Sequence, residues 1–243
     1  MPFAVIYCMI ALKSREEKIM KINRYFDHAV LKPGMSEQEV RDAIRQGIDY
    51  DVYSVCVRPC DIDLAVSMCR GTNTRVSCVL DFPHGDSSAE GKAALAELYA
   101  PRGVAEIDMV MNYGYARSGK WDEVRKGIEG VVKAAGKYGV GVKVIFESCE
   151  LTAEEIKKAT EICIEAGADF VKTSTGFGAS GASEEAVRAM LEASGGRIQV
   201  KPSGGIRDFE TAKKYVDMGA SRLGVGYGST PAICGGEEAA EKG

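Results

Sequence analysis

The chain has 243 residues, 45% of them apolar, with 31 basic against 35 acidic side chains and a net charge of −4. That length and apolar content suit one large domain, and the near-balance of charge excludes a polybasic nucleic-acid binder and an acidic disordered chain. Two histidines, His28 and His84, leave almost no room for a multi-histidine metal site, and eight cysteines without a C-x-x-C point to reduced thiols in a cytoplasmic protein, not to a disulfide scaffold.

The opening MPFAVIYCMIAL is apolar but too short to span a bilayer, and its positive charges follow the apolar run, unlike a secretory signal. A second methionine, Met20, starts MKINRYFDHAVLKP. Residues 1–19 therefore read as an N-terminal extension and residues 20–243 as the domain. Strand-like runs then begin near residue 26 (FDHAVLK), 53 (YSVCV), 75 (RVSCVLD), 105 (AEIDMVM), 142 (VKVIFES), 169 (DFVKTST), 197 (RIQVKPS) and 221 (SRLGVG). Helical patterns fill the gaps. Ser36 to Gly47 has an N-cap serine, early acids and a terminal glycine; Trp121 to Tyr138 is a longer amphipathic stretch; Thr152 opens a capping box with Glu155, and that helix ends at Ala166-Gly167; Ser183 to Ala193 and Asp208 to Met218 follow the same logic. The strand starts recur at about 28 residues, the length of one strand, one helix and two short loops. Eight such units without a composition break predict a single closed (β/α)₈ barrel, a TIM barrel, with a doubly wound open sheet as the alternative. Neither G-x-G-x-x-G after the first strand nor a Walker A motif occurs.

Active sites of such barrels lie at the C-terminal strand ends. The polar residues there are Asp108, Lys143 with Glu147, Lys172 and Lys201. Most lysines are solvated surface charges, but a lysine inside a buried strand must be paired or lose its proton. Lys172 and Lys201 end consecutive strands, which in a barrel places them side by side. Two ammoniums that close favour the loss of one proton, and a neutral amine can form a Schiff base with a carbonyl. Asp108, in an apolar run, reads either as a structural ion pair or as a general acid/base linked to the lysines. Lys143 and Glu147 share strand parity and read as inward-pointing members of the same network. The glycine-rich turns Ser203-Gly204-Gly205 and Gly224 to Ser229 follow the last two strands, where such barrels often cradle phosphate.

Asp27-His28 with Leu31-Lys32-Pro33, VCVRP at 55–59, EIDMVMN at 106–112, VKTSTGF at 171–177 and KPSGGIR at 201–207 together resemble the deoxyribose-phosphate aldolase family, over about residues 22–226. The resemblance implies a metal-independent class I aldolase without a cofactor, acting in deoxyribonucleotide catabolism. It would join acetaldehyde and glyceraldehyde 3-phosphate reversibly into 2-deoxyribose 5-phosphate. By motif, Lys172 resembles the Schiff-base lysine, Lys201 the lysine that lowers its pKa, and Asp108 the carboxylate that moves protons. Asp27, Cys56, Lys143, Thr173, Gly204, Gly205 and Gly226 match substrate-binding positions. The partners implied are a sugar phosphate and aldehydes, with no nucleic acid and no membrane, in a homo-oligomer, dimer or tetramer. Departures concentrate at the phosphate end: Pro202 replaces a small residue, Ala29 replaces a hydroxyl, Val225-Gly226-Tyr227-Gly228 replaces a serine-bearing turn, and the tail EEAAEKG lacks a terminal tyrosine. A lysine-dependent aldolase with another acceptor is the runner-up. A noncatalytic sugar-phosphate sensor is the reading from a different class, and the joint presence of Lys172, Lys201 and Asp108 argues against it.

Overall fold

After a short 3-10 turn at Ile22–Tyr25, the chain enters a ring of eight strands. The structure, a computed structural model, describes residues 20–242; the expected extension at 1–19 lies outside them. The strands are β1 (Phe26–Val30), β2 (Ser54–Val57), β3 (Arg75–Leu80), β4 (Glu106–Val110), β5 (Gly141–Ile145), β6 (Phe170–Lys172), β7 (Gln199–Lys201) and β8 (Leu223–Gly226). All neighbours are parallel; β1 to β6 each pair with the next in sequence, and β8 returns to pair with β1. The ring closes between β7 and β8, where Ser221 N donates to Val200 O (3.0 Å) and Gly224 N to Pro202 O (2.8 Å). A Cβ on Gly224 would lie 2.6 Å from Ser203 Cβ, so glycine is what lets these two strands approach. The fold is thus the TIM barrel and not the open sheet. The strand starts fall within two residues of the expected positions, the largest offsets being at β7 and β8.

The helices around the ring are α1 (Glu37–Asp49), α2 (Ile62–Cys69), α3 (Ala89–Tyr99), α4 (Tyr113–Arg117), α5 (Trp121–Gly136), α6 (Ala153–Ala166), α7 (Glu184–Ser194), α8 (Phe209–Asp217) and α9 (Thr230–Ala240). Ser36 with Glu39 and Thr152 with Glu155 form complete capping boxes, and Gly167 ends α6 at φ 78°. Gly47 corrects the expected end of α1, because the helix runs on to Asp49. A Cβ at Gly47 would stand 2.8 Å from Val55 Cγ1 and 3.1 Å from His28 Cδ2. The glycine is therefore a packing position that lets α1 lie against β1 and β2. His28 is pinned there between Ala43 O (2.9 Å) and Thr230 Oγ1 (2.8 Å).

Apolar residues such as Ile44, Val55, Ile107, Ile128, Val144 and Val187 are buried between ring and helices. Inside the ring the pattern inverts. Barrel interiors are usually filled by branched apolar side chains, yet here Asp27, Glu106, Asp108, Lys143, Lys172 and Lys201 project inward and are buried. Among the described residues no helix is long and apolar enough to cross a membrane.

Candidate active site

Strand register builds the site. Lys172 and Lys201 are direct partners across β6 and β7, and Asp108 and Lys143 are partners across β4 and β5. Asp108 Oδ2 accepts from Lys172 Nζ at 2.8 Å and from Lys201 Nζ at 2.7 Å. Its Oδ1 accepts from Lys143 Nζ at 2.8 Å. Lys201 also donates to Asp27 Oδ2 at 2.5 Å. Lys143 lies 2.6 Å from Glu106 Oε2 and 3.3 Å from Asp27 Oδ2. Arg222, just before β8, meets Asp27 Oδ1 at 2.8 Å and Glu106 Oε2 at 3.2 Å. Ser54 donates to Asp27 Oδ1 at 2.6 Å.

The lysines differ in how many carboxylates hold them. Lys143 touches three, Lys201 two, and Lys172 only one oxygen, which it shares with Lys201. Burial pushes the Lys172 ammonium below the ordinary lysine pKa, and the Lys201 charge pushes the same way against the pull of Asp108. Burial also acts to lower Lys201, but Asp108 and Asp27 outweigh it and hold that group above the ordinary value. Lys143 is likewise raised, its burial outweighed by Asp108, Asp27 and Glu106. Burial opposes ionisation of Asp108, yet Lys143, Lys172 and Lys201 hold it well below the carboxylate range. Two adjacent amines are thereby driven apart, one toward the neutral form and one toward the charged form, a pattern suited to nucleophilic chemistry.

Above Lys172 and Lys201 opens a cavity of about 510 Å³. Of the residues expected in the site, Asp27, Cys56, Lys172, Lys201, Gly204, Gly205 and Gly226 line it. Asp108, Lys143 and Thr173 do not. Asp108 and Lys143 are fully buried behind the two lysines, and Thr173 commits its hydroxyl to the next strand, accepting from Ser203 N (3.0 Å) and donating to Ser203 O (3.1 Å). Cys56 is a buried thiol whose pKa burial pushes up, so it faces the cavity as a neutral group. Gly204 and Gly205 have φ of 82° and 79°, which turns their backbone around the rim. Gly204 packs so closely that a Cβ would lie 3.0 Å from Gly181 Cα, whereas one on Gly205 would meet nothing and point into open space.

Glu147 corrects an expectation. Strand β5 ends at Ile145, Glu147 takes φ 53°, and its carboxylate accepts from the Thr175 hydroxyl. It supports the loop after β6 and makes no contact with the lysines. Sequence reasoning missed two rim cations, Lys32 and Arg207, together with Phe177 and Tyr227. Lys32 Nζ stands 5.2 Å from the Tyr227 ring centre. The only signal for either cation was its place within a quoted motif, Leu31-Lys32-Pro33 or KPSGGIR, and exposed basic residues are common in such turns.

The sequence pattern of the DeoC/LacD family aldolase matches residues 21–230. The deoxyribose-phosphate aldolase of Caldanaerobacter subterraneus subsp. tengcongensis is 44% identical over 215 residues, covering 88% of this chain and 93% of that protein. That of Clostridium tetani is 43% identical over 209 residues, covering 86% and 96%. A solved structure described as an aldolase is 39% identical with a TM-score of 0.84, covering 92% of this chain and 98% of its own. The deoxyribose phosphate aldolase of Aeropyrum pernix, described as a tetramer, is 26% identical with a TM-score of 0.82, covering 90% and 92%.

Proposed function

This chain belongs to the DeoC/LacD family of aldolases, and from that premise we propose that it reversibly cleaves 2-deoxy-D-ribose 5-phosphate to acetaldehyde and D-glyceraldehyde 3-phosphate through a Schiff base on Lys172. The observation that carries the reading is the sharing of one Asp108 oxygen by two lysines at the floor of the cavity. Of those lysines, Lys172 has the weaker hold on its proton.

The steps follow from that arrangement. Neutral Lys172 Nζ adds to the C1 aldehyde of the open-chain sugar, and loss of water gives an iminium. The C3 hydroxyl then gives up its proton, and the C2–C3 electron pair moves into the iminium to form an enamine. Glyceraldehyde 3-phosphate leaves. The enamine takes a proton at C2, and water returns acetaldehyde and the free lysine. Lys201 and Asp27 line the cavity beside Lys172, and Asp108 joins both lysines from behind. This trio holds and returns the protons that the steps move. At the rim, the backbone of Gly204, Gly205 and Gly226 with the Lys32 and Arg207 side chains suits a phosphate dianion. The two cations add charge beside Ser229 where Val225-Gly226-Tyr227-Gly228 carries no serine, which favours a phosphorylated substrate over a free sugar. The tetrameric relative supports a homo-oligomer for this chain as well.

Lys172→Ala is expected to abolish cleavage, and borohydride with acetaldehyde is expected to label wild type at Lys172 alone, as read by peptide mass spectrometry. Labelling at Lys201 instead, or full activity in the alanine variant, would overturn the assignment.

A further inference from the structure

The charge inside the barrel does not balance if every group is ionised. Four cations (Lys143, Lys172, Lys201 and Arg222) face three carboxylates (Asp27, Glu106 and Asp108), all buried and linked in one continuous chain of contacts. A buried uncompensated charge is strongly unfavourable, so one proton should leave. Arg222 cannot be the donor, because a guanidinium keeps its proton in proteins. Lys143 and Lys201 each hold two or more carboxylates, and Lys172 holds half a share of one. The surplus therefore falls on Lys172, and losing its proton leaves three cations against three carboxylates.

We infer that Arg222 and Glu106, at the end of the barrel away from the cavity, set the proton count of the two lysines and so keep Lys172 neutral. Neither residue lines the cavity, so they are positioning residues that act through Asp27, Lys143 and Asp108. The guanidinium occupies carboxylate charge on Asp27 and Glu106 that Lys143 and Lys201 would otherwise have to themselves. Asp27 comes from β1 and Glu106 from β4, with Lys143 of β5 bridging the same two carboxylates. The Tyr53 ring lies 3.4 Å from the guanidinium carbon, and Arg75 and Arg24 stack on that ring at 5.2 Å and 5.7 Å. Lys172 is faced by Asp108, Lys201 and the Cys56 thiol. Tyr53 and the neighbouring Phe170 ring, 5.2 Å away, close the far end over Arg222 and keep its charge out of water. That low-dielectric setting is what lets a charge several contacts away be felt at the nucleophile.

The inference rests on the Schiff-base reading and is tested by the pH midpoint of borohydride trapping of acetaldehyde at Lys172. Arg222→Met removes the surplus charge, so the midpoint is expected to rise by about one pH unit, less than for removal of the adjacent Lys201. Arg222→Lys is expected to hold the wild-type midpoint. Glu106→Gln enlarges the surplus, so its midpoint is expected to fall. The double variant Arg222→Met, Glu106→Gln restores a surplus of one and is expected to return to the wild-type midpoint. A variant weakened only in its packing would not move in both directions and then cancel. Midpoints equal in all soluble variants, or Arg222→Met and Glu106→Gln moving the same way, would overturn the proposal. A wild type that traps nothing at Lys172 at any pH would overturn the Schiff-base reading beneath it.

Discussion

Replacing Lys201 with leucine removes a positive charge beside the proposed nucleophile, Lys172, while leaving Asp27 and Asp108 paired with Lys143, Arg222 and Lys172. The Lys172 and Lys201 nitrogens lie 2.8 Å and 2.7 Å from the same Asp108 oxygen, so they are at most 5.5 Å apart. At an effective dielectric of about 20, two unit charges at that distance repel by about 3 kcal/mol. Losing that repulsion raises the pKa of Lys172 by roughly two units. Asp108, with one cation fewer, also holds the Lys172 proton more firmly. Only the neutral amine attacks, so kcat/KM near pH 7 is expected to drop ~10²-fold, and its acid limb to move up by roughly two pH units. The assay is the cleavage rate of 2-deoxyribose 5-phosphate across pH, read through release of glyceraldehyde 3-phosphate. Activity that falls equally at every pH, with the acid limb unmoved, would show that Lys201 does not tune the nucleophile and would refute the electrostatic argument.

Gly205→Val places a side chain in the open space at the rim and at φ 79°, so KM should rise several-fold more for the phosphorylated sugar than for free deoxyribose; an equal effect on both would remove phosphate from this loop. Lys92 is buried on α3 and donates to Asp81, to Gly85 O and to Val110 O. Lys92→Met leaves the Asp81 carboxylate without its cation, so urea unfolding should show a loss of about 3–5 kcal/mol, and a loss below about 1 kcal/mol would contradict the pairing argument. Burial holds the His28 pKa near 4, against 6.5 for the free group. Below pH 6.5 the unfolded chain takes up a proton that the folded chain refuses, so this group's contribution falls by about 3 kcal/mol between pH 6.5 and pH 4 and is level below that. With two histidines in the chain, the ring can be followed by NMR, and a midpoint near 6.5 in the folded protein would refute the assignment.

What the sequence disclosed and what it concealed divide by range. Capping boxes at Ser36 and Thr152 lie within one helical turn, so residues three apart reveal them. Lys172 and Lys201 were legible because each ends a short apolar run, and in a barrel the ends of consecutive strands are neighbours. Glu147 was misread because parity counts only while the strand lasts, and a positive φ two residues beyond β5 turns its carboxylate toward Thr175. Gly47 looked like a helix terminus because its reason for being glycine lies in His28 and Val55, on two strands, and not in the helix. Arg222 was the hardest. At the start of a strand-like run an arginine looks like a solvated charge, and its partner Asp27 stands 195 residues earlier. Only the closing of β8 onto β1 brings the two together. Charge balance is a property of the closed ring and not of any segment, and for that reason Lys172 could be proposed as nucleophile from a seven-residue motif while Arg222, the group proposed to set its proton, could not.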